Sequence, residues 1–181
     1  MKKQELQTTF YFEQNPKDYL SFCAVLKEMR SRLDGTRFPA FLCIGTDRMT
    51  GDCLGPLIGH QLNQYFQGTF PVFGTLEHPV HALNLRRTIG KIQTQYPNSF
   101  LIAVDAALGR PEHIGSIALS FGSLTPGEGM RKQLPSVGEI AITGIVNRCS
   151  DNADLLLQNT RLHLVHQMAE FISSGLIHCF F

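Results

Sequence analysis

The sequence predicts an α/β fold, a three-layer α/β/α sandwich with a mostly parallel central sheet. Three observations lead to this prediction. Short apolar segments alternate with amphipathic segments along the chain, as in proteins built from strands and helices in turn. The 181 residues, 43% of them apolar, are enough for one domain with a substantial core. Two apolar segments lead to an aspartate and a glycine-containing loop, which is typical of parallel strands ending at a binding crevice.

The N-terminal third is predicted to contain an arm, two helices and the first strand. Residues 1–17 are mostly polar and are expected to form a loosely packed arm. Apolar residues at three- and four-residue spacing predict a helix over residues 18–33 and a second helix from Leu54 to Gly68. Between them, a short apolar run predicts a strand over residues 40–45.

The remainder of the chain continues this alternation. The predicted strands cover residues 71–76, 100–104, 115–121 and 139–146, and the predicted helices cover residues 85–96 and 155–172. A glycine- and proline-containing loop over residues 122–138 separates the last two strands, and loops of this length in small domains are often functional. Because no repeat or linker interrupts the pattern, we expect residues 1–181 to form one domain.

Charge and cysteine content argue against several classes of protein. Sixteen basic and fifteen acidic residues, without a long run of one sign, argue against nucleic-acid binding. No apolar run approaches the roughly 20 residues of a membrane-spanning helix, and the N-terminus does not resemble a signal peptide, so a cytosolic protein is expected. Five widely spaced cysteines without a Cys-x-x-Cys pair argue against a disulfide framework and a thiolate zinc site.

Two aspartates at predicted strand ends are the candidate catalytic residues. Asp52 follows the first strand and its glycine-containing loop, and Asp105 directly follows residues 100–104. If these strands are neighbours, both carboxylates face one crevice. A helix start beside Asp52 favours its ionised form, so different environments could divide the pair into a base and an acid. The structural alternatives are a helix N-cap for Asp52 and a turn residue for Asp105.

Other chemistry has weaker support in the sequence. Cys53 has no histidine near it in the sequence, and a buried, inert thiol is the favoured interpretation. His163 and His166 are three residues apart on the closing helix but lack an evident third ligand, which favours surface or packing roles. His78 and His81 follow the second predicted strand and are outside candidates for the same crevice. Neither a Gly-x-Ser-x-Gly elbow nor a phosphate-binding loop is present.

Three segments carry a resemblance to a known family. They are IGTDRMTGDCLGP at residues 44–56, IAVDAA at residues 102–107 and TPGEGMRKQL at residues 125–134. In this order they resemble the spore germination protease family and, more closely, its short sporulation relatives of the YyaC type. The resemblance implies an unusual aspartic endopeptidase that degrades small acid-soluble spore proteins in the cytoplasm of a spore-forming cell. Asp52 and Asp105 match the two aspartates that are the proposed catalytic residues of that family.

The same fold and acidic positions are similar to those of hydrogenase maturation endopeptidases, in which two carboxylates and a histidine hold a metal. Residues 137–147 contain no histidine that could be the third ligand, so we predict neither a metal nor another cofactor. The germination protease is longer and has a propeptide and additional segments for which this chain has no room. Its substrate range and its zymogen control are therefore not carried over.

An aspartate pair implies that the two carboxyl groups share a proton, with one activating water and the other protonating the departing amine. Donors for the oxyanion would come from backbone amides of the long loop or from the helix start near Asp52. The basic residues of the long loop are candidates for holding an acidic substrate group, with a solvated surface as the alternative. Together, the candidate substrate-binding residues are Thr46, Asp47, Gly127, Gly129, Arg131 and Lys132.

Two classes of function remain open. The first is a peptidase acting on a spore protein, with a metal-dependent maturation-type peptidase as a variant of it. The second is an inactive relative that binds a peptide or a partner protein during sporulation. The apolar tail over residues 176–181 packs either on its own core or on a second subunit, and a homodimer is the favoured expectation.

Overall fold

The computed structural model of the protein describes residues 8–127 and 134–181. Within these ranges the strands are β1 (Thr9–Phe12), β2 (Phe38–Cys43), β3 (Val72–Phe73), β4 (Ser99–Gly109), β5 (Ile117–Phe121) and β6 (Ile140–Arg148). The helices are α1 (Pro16–Ser31), α2 (Leu54–Phe66), α3 (Leu85–Gln95), α4 (Ala153–Gln158) and α5 (Leu162–Phe180). Two 3₁₀ turns, Gly51–Cys53 and Pro111–His113, complete the regular structure.

The described strands form one mixed sheet in the order β1-β5-β6-β4-β2-β3. Strands β3, β2, β4 and β6 are parallel to one another, whereas β5 runs antiparallel to β6 and β1 antiparallel to β5. The predicted fold class, α/β with a mostly parallel central sheet, is confirmed. Strands β2 and β4, which precede the two candidate aspartates, are direct neighbours.

The two faces of the sheet are covered unequally. On one face, helices α1, α2 and α5 enclose the larger core, to which β4 contributes Ile102 and Val104. The other face contributes Ala103 and packs against α3 through Leu85 and Ile92. Because α3 lies over β2 and β4, the same face of β6, β5 and β1 is covered by no helix within residues 8–127 and 134–181.

Four elements differ clearly from the sequence prediction. Strand β3 is two residues long, whereas the predicted strand covers residues 71–76. Strand β1 lies within the segment expected to be a loose arm, where it pairs with β5 and buries Phe12. The single closing helix predicted over residues 155–172 is two helices, α4 and α5, separated by Asn159, Thr160 and Arg161. Strand β4 continues five residues beyond its predicted end at Val104. Each difference depends on pairing or packing with distant segments, which local periodicity does not record.

No helix in the described part of the chain has the length and hydropathy needed to cross a membrane.

Candidate active site

Asp105 lies inside the central strand β4. The predicted strand end before this residue was wrong, because β6 continues to pair with β4, with Asp105 opposite Thr143 and Ala107 opposite Ile145. The pairing of β2 with β4 stops earlier, at Cys43 opposite Val104. Asp105 is therefore the first β4 residue beyond the last β2 pair, where a crevice opens at the carboxyl edge of the sheet.

Asp52 reaches this crevice from the loop that follows β2. Gly45 begins the loop with a φ angle of 142°, and a β-carbon at this position would lie 2.0 Å from the backbone oxygen of Asp52. The amide of Thr46 donates to the same oxygen over 3.1 Å, which closes the loop. Helix α2 begins at Leu54 with Cys53 as its N-cap, so Asp52 is in the preceding 3₁₀ turn and is not the capping residue.

Burial favours the protonated form of Asp105. Only 7% of its surface is exposed, and burial raises its pKa well above the usual range, with a further increase from the negative charge of Asp52. Backbone hydrogen bonds from Ala106, at 2.9 Å, and from Gly127 lower the pKa but do not reverse the shift. Asp52 is half-buried and more accessible to solvent. The environments of the two carboxyl groups thus suit an acid at Asp105 and a base at Asp52.

The two aspartates line one cleft with a volume of about 730 Å³. Its floor is formed by β4, β6, β5 and β1, on the part of the sheet that no helix in the described residues covers. The segment after β5, including Ser123 and Gly127, and Leu157 of α4 contribute to its walls. The cleft is large enough for several residues of a peptide substrate.

The predicted substrate-binding residues fall into three groups. Gly127 lines the cleft, and its amide bonds to Asp105. Thr46 and Asp47 lie on the loop before the 3₁₀ turn and are not among the residues that line the cleft. The hydroxyl of Thr46 accepts a hydrogen bond from the Arg48 amide over 3.3 Å. The remaining three, Gly129, Arg131 and Lys132, are outside the described residues.

Of the histidines considered from the sequence, His81 lines the cleft, and its Nδ1 accepts a hydrogen bond from the Leu83 amide over 3.4 Å. His78 is exposed on the preceding loop. On α5, His166 is exposed and lies 3.7 Å from the carboxylate of Glu170. His163 lies in the first turn of the same helix, outside this cleft.

The described residues do not fit a maturation-type metal centre. Across residues 8–127 and 134–181, no three side chains of histidine, cysteine, aspartate or glutamate are grouped so that they could hold one ion. Such a centre would need ionised carboxylates, and burial disfavours ionisation of Asp105. The absence of a cofactor stays a prediction.

A cysteine nucleophile at the same helix start is also poorly supported. Burial raises the pKa of the Cys53 thiol, and the negative charges of Asp47 and Asp52 raise it further. A thiol in this environment stays protonated and is a poor nucleophile. Cys53, which is 8% exposed, is therefore a buried thiol that is not suited to act as the nucleophile.

Sequence reasoning missed the cleft residues contributed by β1, β5 and β6, together with one from the turn after β4. They include Tyr11, Ala118, Ser120, Thr143 and His113. The available signal was the alternation of small or polar residues with apolar residues in β5 and β6, which indicates one exposed face. That signal identifies an open face but not its position beside Asp105, which depends on strand order.

The fold defines an α/β protein with the chain architecture of a hydrogenase maturation protease. The structure is similar to that of the [NiFe] hydrogenase maturation protease HycI from Thermococcus kodakarensis KOD1, with a TM-score of 0.57. The match covers 84% of this chain and 99% of the other, at 16% sequence identity. At this level of identity the similarity concerns the fold alone.

The chain belongs to the family described as Protein of unknown function (DUF1256), whose model matches residues 10–175. It is also similar to the Uncharacterized protein YyaC of Bacillus subtilis (strain 168), with 50% identity over 135 residues. That match covers 75% of this chain and 66% of the relative, slightly less than two thirds of the relative's length.

Proposed function

We propose that this chain is an endopeptidase that hydrolyses a peptide bond of a spore protein with Asp52 and Asp105. The observation that carries the proposal is that Asp105 and Asp52 line one large cleft, with Asp105 buried and its pKa raised by burial and by the negative charge of Asp52. The maturation-protease fold supports a possible peptidase. The sporulation role rests on the resemblance of residues 44–56, 102–107 and 125–134 to the germination protease family.

In the proposed reaction, the carboxylate of Asp52 takes a proton from a water molecule, whose oxygen forms a bond to the peptide carbonyl carbon. Asp105 gives its proton to the departing nitrogen as the C–N bond breaks. The products are a carboxyl group and an amine, and the proton held by Asp52 then returns to Asp105. Burial raises the pKa of Asp105 and so favours its protonated form before this transfer, which is the property an acid needs.

The transition state also places negative charge on the carbonyl oxygen. The N-terminus of α2 begins immediately after the turn that holds Asp52, and its dipole favours negative charge there. The amide of Gly127 is engaged with the carboxyl group of Asp105, so its role in the free enzyme is to position the acid.

The test is cleavage of purified small acid-soluble spore proteins, followed by mass spectrometry, with and without a chelator. We expect Asp52→Asn and Asp105→Asn each to lower the cleavage rate by about 100-fold or more, since each removes a proton-transfer group. Asp154→Asn is the matched control, because Asp154 is exposed in α4 and does not line the cleft. Circular dichroism establishes that all variants are folded.

Chelator-resistant cleavage that is lost in both variants would support the aspartate pair. Cleavage that a chelator abolishes and a divalent ion restores would contradict it and favour a metallopeptidase. If folded wild type cuts none of these substrates, the proposed substrate is wrong. Peptide binding without cleavage would then favour the inactive, peptide-binding relative.

A further inference from the structure

A row of residues from four strands begins at Asp105. The strand register places Asp105 opposite Thr143, Thr143 opposite Ala118, and Ala118 opposite Tyr11. Residues opposite one another in neighbouring strands have side chains on the same face, and all four line the cleft. The row therefore leads from the candidate acid to the edge of the sheet, perpendicular to the strands.

The middle of this row consists of residues with small side chains, which leave room for a bound peptide. The row is also long enough for several residues of an extended peptide. Ala118 and Thr143 have small side chains, and the parallel row beside them contains Ser120 and Ala141. Three strand spacings of about 4.8 Å separate Asp105 from Tyr11, or about 14 Å in total. This distance corresponds to about four residues of an extended peptide at about 3.3 Å each.

The far end of the row has an aromatic pair and a cation. Tyr11 is 52% exposed and stacks on His113, with ring centroids 4.8 Å apart and an angle of 17° between the rings. Arg110 lies directly before the 3₁₀ turn that contains His113, and it also lines the cleft. Arg110 is exposed and forms no ion pair with any residue in the described ranges. A guanidinium in this setting is suited to binding a carboxylate.

We propose that this row is a peptide-binding groove in which Arg110 selects an acidic side chain. The substrate lies extended across β6 and β5, with its scissile bond between Asp52 and Asp105. An acidic residue about four positions away binds Arg110, beside the aromatic surface of Tyr11 and His113. The position of the scissile bond rests on the proposed function, whereas peptide binding in the groove does not require cleavage.

The probe is a set of fluorescein-labelled dodecapeptides of serine and alanine in which one glutamate, or one lysine, occupies each position in turn. Fluorescence anisotropy with the full chain measures their binding. We expect glutamate at one position to tighten binding to wild type by about tenfold, and lysine there to give no gain. Arg110→Gln should remove the glutamate preference. Arg87→Gln, at an exposed arginine of α3 away from the cleft, should retain it.

A charge-reversal variant distinguishes the loss of the Arg110 contact from a loss of folding. Arg110→Glu should transfer the preference from glutamate to lysine at the same peptide position, which a misfolded protein cannot do. Tyr11→Ala should weaken the binding of all the peptides without transferring the preference. A glutamate preference that persists in Arg110→Gln and Arg110→Glu would contradict the proposed groove. The absence of any positional preference in wild type would contradict it as well.

Mass spectrometry of the same peptides separates this proposal from the peptidase. Peptides that bind with an Arg110-dependent preference but are not cut would support the groove and count against the peptidase. Peptides that are cut with equal efficiency for every glutamate position would support the peptidase and overturn the groove. For peptides that are cut, the preferred glutamate should lie about four residues from the cleaved bond.

Discussion

Asp105 occupies a position in which burial and the proposed catalysis require the same protonation state. A carboxylate in the middle of a buried strand is costly, whereas a neutral carboxylic acid is tolerated and can donate a proton. Asp52 is half-buried in a turn at the cleft and adds a nearby negative charge, which opposes ionisation of Asp105 further. The two residues therefore differ through their environments although they have the same side chain.

The raised pKa of Asp105 predicts a pH-dependent effect of Asp105→Asn on stability. The unfolded chain loses this proton above about pH 4, whereas the folded chain keeps it to a higher pH because the pKa of Asp105 is raised. The stabilising contribution of Asp105 is thus fully present below about pH 4 and is lost as the pH rises through its raised folded pKa. Asparagine has no proton to lose, so the stability of the variant relative to wild type should increase by about 1.4 kcal/mol per pH unit within that window.

Urea unfolding at a series of pH values measures this difference. Asp154→Asn is again the control, because Asp154 is exposed in α4 and does not line the cleft. A difference between Asp105→Asn and wild type that is constant from pH 4 upwards would mean that Asp105 is ionised in the folded protein. The proposed acid would then have to be assigned elsewhere.

At the residue level, the sequence was sufficient to propose Asp52 and Asp105 as candidate catalytic residues. It was not sufficient to predict the other residues that line the cleft with them. Each follows an apolar run, and their strands prove to be neighbours, so the two residues line one cleft. Tyr11 and Thr143 join them only through the register of β1, β5 and β6. Register is a property of distant pairing, and no local motif in the sequence encodes it.

Among the elements, the loop between β2 and α2 determines where Asp52 lies. The loop is closed by the hydrogen bond from Thr46 to the backbone of Asp52, directly after Gly45. Gly45 is required there for two reasons, its positive φ angle and the 2.0 Å that would separate a β-carbon from the Asp52 oxygen. The position of Asp52 therefore depends on a glycine seven residues earlier in the chain.

Gly45→Ala should consequently affect both stability and cleavage. We expect a loss of about 2–3 kcal/mol in unfolding free energy from the strained φ angle and the displaced turn. Cleavage of the spore-protein substrate should fall even at temperatures where the variant remains folded, because Asp52 moves. Urea unfolding and a cleavage assay on the same preparations measure the two effects.

Gly90→Ala provides the comparison for this variant. Gly90 is exposed in α3, and a β-carbon there meets no atom within 4 Å, so alanine should stabilise the helix by about 0.5–1 kcal/mol and leave cleavage unchanged. Equal behaviour of the two variants would contradict the role of Gly45 in placing Asp52.

Element boundaries were predictable where local periodicity determines them. The ends of α2 and α3 agree closely with the prediction, because their apolar stripes face the core. The extent of β4 was not predictable, because its final residues are held by pairing with β6 after β2 has ended. Strand β1 is only four residues long and depends on β5 for its hydrogen bonds.

On the scale of the whole molecule, unequal covering of the sheet creates the site. Three helices bury one face, whereas α3 covers only part of the other face and leaves the cleft beside it. The alternation of strands and helices predicted layers on the sheet but did not indicate which part of a face would stay open. That outcome depends on the β5–β6 connection, which contains no helix in its described residues.

The C-terminal tail packs against the larger core of its own chain. Leu176, Cys179 and Phe180 are buried within their own chain, and the ring of Phe180 lies 5.8 Å from that of Phe41 and 6.1 Å from that of Phe100. Arg30 donates to the Cys179 carbonyl over 2.8 Å and lies over the Phe180 ring. These contacts place the tail on its own core, whereas the homodimer expected from the sequence stays a prediction.

Leu176→Ala should therefore lower the unfolding free energy by about 2–5 kcal/mol, as expected for a cavity at a fully buried leucine. Because the cavity lies within one chain, the loss should be the same at protein concentrations that differ by a factor of about 100. Leu162→Ala, at a leucine of α5 that is 59% exposed, should change the unfolding free energy by less than about 1 kcal/mol. Urea unfolding at both concentrations provides the measurement. A midpoint that rises with concentration in wild type but not in Leu176→Ala would instead place this part of α5 in a subunit interface.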